Sequence, residues 1–143
     1  MSYRAGFQQR YSLGKMSEAT VLPILKEYFK RDIIATEQQM CAHDYFCKDY
    51  TYELKTRTNS MHCYGTTLIG ASKLVPNSIL VFQFTDKLAY IEYDAKKFSN
   101  YQTKVLHKYG PPVTNVLIPI EHLTVIDPAV KPDINQCHIG PEI

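Results

Sequence analysis

At 143 residues, 45% hydrophobic and 21% charged, the chain has the balance of one ordinary globular domain, large enough for a core but too short for two. Sixteen basic and fourteen acidic residues leave a net charge of +2, all of the excess before residue 58, well short of the basic footprint of a protein that holds nucleic acid by charge alone. No apolar run approaches the ~18 residues of a membrane span, and the opening MSYRAGFQQR lacks the apolar core of a signal peptide, so the expectation is a soluble intracellular protein.

Residues 1–16 are polar and aromatic and read as a loosely structured arm. Val21, Ile24, Leu25, Tyr28 and Phe29 then follow the spacing of one helical face. Pro23 constrains where that helix starts. With Ser17 as N-cap it sits in the second turn and breaks a backbone bond; with Thr20 as cap it falls in the first turn at little cost. In both cases Glu18 lies at or just before the helix entrance. Two runs at about 40–46 and 51–58 read as a hairpin turning at Lys48-Asp49, and YGTTLIG as a third strand followed by a loop, ASKLVPN. SILVFQFTDKLAYIEY is a second hairpin turning at Asp86-Lys87, its first run apolar enough for a central strand buried on both faces. DAKKFSNYQTKVLHKYG is a helix candidate with Phe98, Tyr101 and Val105 on one stripe. TNVLIPIEHLTVI follows as a strand, and the tail from residue 127 reads as irregular, with three Pro. The order predicts a mixed α/β sandwich.

The eleven Tyr and absent Trp suit half-buried strands first, and stacking on bases second. Cys41, Cys47, Cys63, His43 and His62 are near enough in sequence to raise a zinc site, but they lack the paired spacing of structural zinc ligands; reduced thiols are the expectation. Neither a phosphate-binding Gly-rich loop nor a GxSxG motif is present.

The first hairpin, HDYFCKDYTYELKTR, carries the chemistry. A turn centred on Lys48-Asp49 sets Phe46 opposite Thr51, Tyr45 opposite Tyr52 and Asp44 opposite Glu53. Alternation then puts Glu53, Lys55 and Arg57 on one face, and Tyr52, Leu54 and Thr56 on a core face. Like charges opposite each other destabilise a sheet, so something should compensate. A surface salt-bridge network through Lys55 and Arg57 is one answer, cheap and common. A divalent cation is the other: two carboxylates plus a backbone carbonyl between them make a hard oxygen site suited to Mg²⁺. Such an ion polarises a phosphoryl oxygen and lowers the pKa of a bound water, and a nearby Lys can position that water or stabilise developing charge.

Asp44, eight intervening residues, then Glu53-Leu54-Lys55 resembles the active-site hairpin of the PD-(D/E)XK, or restriction endonuclease-like, nuclease superfamily. The resemblance extends by order of elements over about residues 15–125. It implies a mixed β-sheet flanked by helices, with Asp44, Glu53 and the Leu54 carbonyl on Mg²⁺ (Mn²⁺ substituting), Lys55 as the catalytic lysine, and Glu18 as an acid contributed by the preceding helix. The residue before Asp44 is His43, where the motif name has Pro. The activity implied is that of a Mg²⁺-dependent DNA endonuclease, of a kind found in viruses, phages and microbes, acting on duplex or branched DNA. A homodimer is possible, contacting through the N-terminal arm or the second hairpin. Arg57 and Lys73 are candidate phosphate contacts, with solvent exposure as the plain alternative for each. Gln83, mid-strand, either faces the active groove or is a satisfied core amide. The segment from Lys104 to Gly110 is either a phosphate-contacting edge or a solvated helix face. Two other functions compete: a catalytically silent member of the fold that binds nucleic acid or a protein, and a small α/β interaction protein whose acidic pair is ordinary surface.

Overall fold

The computed structural model describes residues 18–36, 43–107 and 110–126. The N-terminal arm, Ser17, Cys41, Cys137, His138 and the tail from 127 lie outside them. Among the described residues helix α1 occupies 18–29 and buries Val21, Ile24 and Leu25, with Tyr28 and Phe29 partly covered, the face that the apolar spacing specifies. Glu18, Ala19 and Thr20 are already helical, so a cap at Thr20 is overturned and Pro23 lies within the helix, exposed. Lys30 ends it in the left-handed region (φ 54), its N–H returning to the Lys26 carbonyl at 3.0 Å. Among the described residues no helix is long and apolar enough to cross a membrane.

The described strands are β1 (Ile34–Ala35), β2 (Tyr45–Phe46), β3 (Thr51–Thr56), β4 (Thr66–Gly70), β5 (Ser78–Gln83), β6 (Leu88–Glu92), β7 (Thr103–Leu106), β8 (Val113–Pro119) and β9 (Thr124–Val125). They form a mixed sheet in the order β1-β2-β3-β5-β6-β9 and a smaller antiparallel sheet in the order β4-β8-β7. Among them, only β3 and β5 pair in parallel. The chain therefore crosses over between these two strands, and β4 with the 3-10 turn Ala71–Lys73 is the crossover.

The large sheet is the middle layer. Tyr52 and Leu54 of β3, with Ile79 and Val81 of β5, share one core with Val21, Ile24 and Leu25 of α1. Leu80 and Phe82, with Ala89 and Ile91 of β6, share the other with Ile69, Val116 and Ile118 of the small sheet. Every β5 residue but Gln83 is buried, as its apolar run requires. The chain is thus a mixed α/β protein with a mixed sheet. Among the described residues α1 packs on one face of the large sheet and the small sheet on the other.

The segment read as a helix candidate folds differently. Only α2 (Ala95–Phe98) forms, capped by the Asp94 carboxylate, which accepts the Lys97 N–H at 3.1 Å. Ser99 and Asn100 turn their side chains back onto the Lys96 carbonyl, at 2.7 and 3.4 Å, and end it. The β-branched Thr103 and Val105 then run as edge strand β7, so the stretch beginning at Lys104 is strand, not helix face. Phe98 and Tyr101 still meet, their rings 5.0 Å apart at the centroids. The second hairpin lies in the middle of the large sheet with β5 and most of β6 buried, so it offers no exposed patch for a subunit contact.

Candidate functional site

The first hairpin closes with the Cys47 N–H on the Tyr50 carbonyl at 2.9 Å, and Lys48 and Asp49 exposed at its tip. Its register pairs Tyr45 with Tyr52 and Phe46 with Thr51, the alignment read from the sequence. At Asp44 the ladder slips. The Asp44 N–H donates to the Tyr52 carbonyl at 3.0 Å, one residue out of step with that register, which is the hydrogen-bond signature of a bulge. There the Asp44 side chain bonds to β3 on its β2 side: Oδ2 accepts the Leu54 N–H at 2.8 Å. Asp44 is therefore fixed near the plane of the sheet, beside β3. In a strand the N–H and C=O of one residue point to the same neighbour, so the Leu54 carbonyl faces this same side.

Glu53, next along β3, points into the space between the two sheets and is 7% exposed. Both cations of the site meet one of its oxygens, with Lys55 Nζ at 3.2 Å and Lys73 Nζ at 3.6 Å from Oε2. Lys55 arrives by alternation on β3. Lys73 arrives from the 3-10 turn that follows β4, where neighbouring Leu74 packs onto the core. Burial pushes the Glu53 carboxyl above its ordinary value, the Asp44 charge pushes it further the same way, and the two lysines oppose both. Asp44 and Glu53 thus feel each other, though held by different means. Each lysine side chain is about one-third exposed (32%), so the site opens to solvent on its lysine side.

The location follows from where the cover ends. The small sheet covers this face over β5 and β6, whereas on β2 and β1 the cross-strand pair Phe46 and Ile34 is left 40% and 50% exposed. Glu53 sits at that boundary.

The remaining candidates fall elsewhere. Glu18 lies in α1, where its carbonyl accepts the Tyr45 hydroxyl at 2.6 Å, so this helix is tied to the residue after Asp44. Burial, then the Glu18 and Asp44 charges, push that hydroxyl's pKa up. Arg57 turns inward: Nε donates to Thr67 Oγ1 at 3.2 Å, Nη2 donates to the Leu68 carbonyl, and the guanidinium lies 5.7 Å from the Phe82 ring centroid. Burial lowers its pKa. The geometry gives Arg57 the work of tying β3 to β4. Gln83 pairs with Thr56, whose alternation places it on the α1 side, away from Glu53, and its Oε1 is buried without a partner. It is neither a groove residue nor a satisfied amide. Cys47 approaches the Tyr52 hydroxyl at 3.5 Å and Cys63 is exposed. Among the described residues no group of three or more His, Cys, Asp or Glu side chains could hold a metal ion. Any cation here would rest on two carboxylates, a backbone carbonyl and water.

Two features escaped the sequence reading: the Asp44 bond to Leu54 N–H, and the sharing of one Glu53 oxygen by two lysines. A bulge leaves no strong mark in sequence, and Lys73 reaches the site only through the fold of the crossover. No protein-family model, curated protein or solved structure matches the chain.

Proposed function

We propose that this protein is a metal-dependent nuclease that hydrolyses phosphodiester bonds in DNA, acting at Asp44, Glu53 and Lys55. The observation that carries the reading is Glu53 and its lysine partner Lys55, side by side on β3, with Asp44 anchored across from them on the intervening Leu54 N–H. The order of elements adds support. A helix ahead of a hairpin that carries Asp44 at the end of one strand, β2, and Glu53 with Lys55 on the next, β3, is the arrangement that the resemblance to restriction endonuclease-like proteins implies.

The donor set suits Mg²⁺ or Mn²⁺, since carboxylate and carbonyl oxygens are hard ligands. Glu53 is buried and next to a second negative charge, which are the two conditions a cation there would relieve. Asp44, Glu53 and the Leu54 carbonyl would hold it. Bound there, the ion would polarise a phosphoryl oxygen and make a bound water more acidic. Lys55, on the open side, would orient the attacking water or stabilise charge developing on the phosphate. Lys73 would hold a non-bridging oxygen, and Glu18 would act through water from α1. The rival reading of ordinary surface ion pairs fits poorly, because exposed pairs form at little cost whereas Glu53 is buried and its charge is expensive to place.

Incubation with labelled duplex, nicked, branched and single-stranded DNA, with Mg²⁺ and with EDTA, tests the proposal. Cleavage of at least one substrate in Mg²⁺ alone is expected. Binding without cleavage would leave a catalytically silent nucleic-acid binder, and neither would leave an interaction protein.

A further inference from the structure

We propose that Phe46, with Ile34 beside it, is a stacking platform for an unpaired base, and that the DNA cut at Asp44, Glu53 and Lys55 is single-stranded, frayed or branched at the scissile phosphate. The inference rests on the nuclease reading and deepens it by naming the substrate class.

It follows from which side chains share one face of the first hairpin. Phe46 pairs with Thr51, and alternation along β3 carries that face on to Glu53 and Lys55. Ile34 pairs with Phe46 and extends the same face to β1. Phe46 is thus one diagonal step from Glu53, roughly 7–8 Å in an antiparallel pair. The Lys55 ammonium is drawn back toward it by its 3.2 Å contact with Glu53 Oε2. An exposed apolar side chain is ordinary by itself. Here two stand together beside the site, Phe46 40% and Ile34 50% exposed, where the cover of the small sheet has ended. Phe29, Phe82, Phe84 and Phe98 each pack against another aromatic ring, whereas Phe46 offers its ring to solvent.

The chemistry of this shelf selects its occupant. A flat apolar surface lies at one end and the partly exposed Lys55 ammonium at the other. A nucleotide offers the complement, a flat base and an anionic phosphate. Two apolar side chains fall far short of the ~800 Å² per partner of a stable subunit interface, so a second copy of the chain does not account for them. The net charge of +2 is too small to hold nucleic acid by phosphate contacts alone, and stacking supplies the missing attraction without regard to base identity. Paired bases in a duplex show only their edges, so a base must leave its stack to lie on Phe46. That requirement selects DNA whose bases are already unpaired.

The test uses the full chain as wild type, Phe46→Ala and Phe46→Trp. Three labelled DNAs are bound in EDTA at fixed ionic strength and read by anisotropy: a single strand, a duplex with both ends closed, and an abasic strand that keeps the phosphates without the bases. Wild type should prefer the single strand to the other two. Phe46→Ala should lose on the order of tenfold on the single strand, as the removal of one stacked base requires, and little on the others. The chain has no Trp, so Phe46→Trp places a single reporter on the shelf. It should bind like wild type, and the single strand should quench its emission where the abasic strand does not. Equal losses on single strand and duplex, or Trp emission unmoved by a bound single strand, would overturn the inference. Emission that shifts with protein concentration instead of with DNA would give the shelf to a second copy, and that also overturns it. Incubation in Mg²⁺ separates this inference from the reading beneath it. Quenching without cleavage of any substrate would uphold the platform and overturn the nuclease reading. Cleavage of duplex alone, at one rate in wild type and Phe46→Ala, would uphold the nuclease reading and overturn the platform.

Discussion

Asp44 does two things at once, and a pair of substitutions separates them. Its Oδ2 accepts the Leu54 N–H at 2.8 Å, and its charge raises the pKa of buried Glu53. Asp44→Ala removes both effects. A hydrogen bond to a charged group is worth about 1.5–3 kcal/mol, and Leu54, 8% exposed, has little water at hand to replace it. Relief of the repulsion on Glu53 offsets part of this, because two lysines already temper that repulsion. The net loss for Asp44→Ala is then about 1–2 kcal/mol, a fall in Tm of about 2–8 °C at this size. Asp44→Asn keeps an oxygen for the Leu54 N–H while removing the charge, so it should stay within about 1 kcal/mol of wild type. Thermal melts in EDTA should rank wild type and Asn together above Ala. Amide exchange should find Leu54 protected in Asn and unprotected in Ala. Equal melting temperatures for the two variants, or an unprotected Leu54 amide in wild type, would show that Asp44 does not anchor β3.

Glu53→Gln tests the cost of the buried carboxylate. A folded-state pKa above the unfolded value means the folded protein binds this proton more readily. The corresponding stability is fully present below the unfolded pKa of about 4.3 and is lost as pH rises through the higher folded value. In EDTA the Gln variant should therefore lose less stability than wild type between mildly acid and neutral pH, as read by urea unfolding; parallel profiles would contradict this. Arg57→Met strips partners from Thr67 and the Leu68 carbonyl and should cost about 2–3 kcal/mol, with the salt dependence of oligonucleotide binding unchanged. A stable Arg57→Met protein whose salt slope falls by about one would show instead that Arg57 holds a phosphate.

What the sequence disclosed is governed by periodicity. The alternation of Tyr52 and Leu54 against Glu53 and Lys55, the pairing of Tyr45 with Tyr52 and of Phe46 with Thr51, the buried run of β5 and the apolar face of α1 are all local patterns, and each recurs in the structure. The expected pairing of Asp44 with Glu53 does not, because the ladder slips at Asp44. The strand β1, only two residues long, has too little sequence to show a period. The segment from Asp94 to Gly110 spaces Phe98, Tyr101 and Val105 like a helix. Its β-branched residues and the chance to pair with β8 decide otherwise, and that choice is tertiary. Arg57 continues the alternation of the active face correctly, yet the sequence carries no sign that β4 would stand over it and take its guanidinium. Gln83 shows the same limit: its strand is legible, but its face depends on the register with β3.

If Lys55 acts in the chemistry of a metal-loaded Asp44 and Glu53 site, single-turnover cleavage by Lys55→Ala will expose it. Lys73 remains on Glu53 in that variant, so the fold should persist. With Mg²⁺ and a DNA substrate that the wild-type protein cuts, Lys55→Ala should lose about a hundred- to a thousand-fold in rate, as a charged transition-state contact requires. Its DNA affinity, measured in the same samples, should stay close to wild type. Wild-type cleavage rates in a folded Lys55→Ala protein would remove Lys55 from the mechanism and contradict the nuclease assignment of this hairpin.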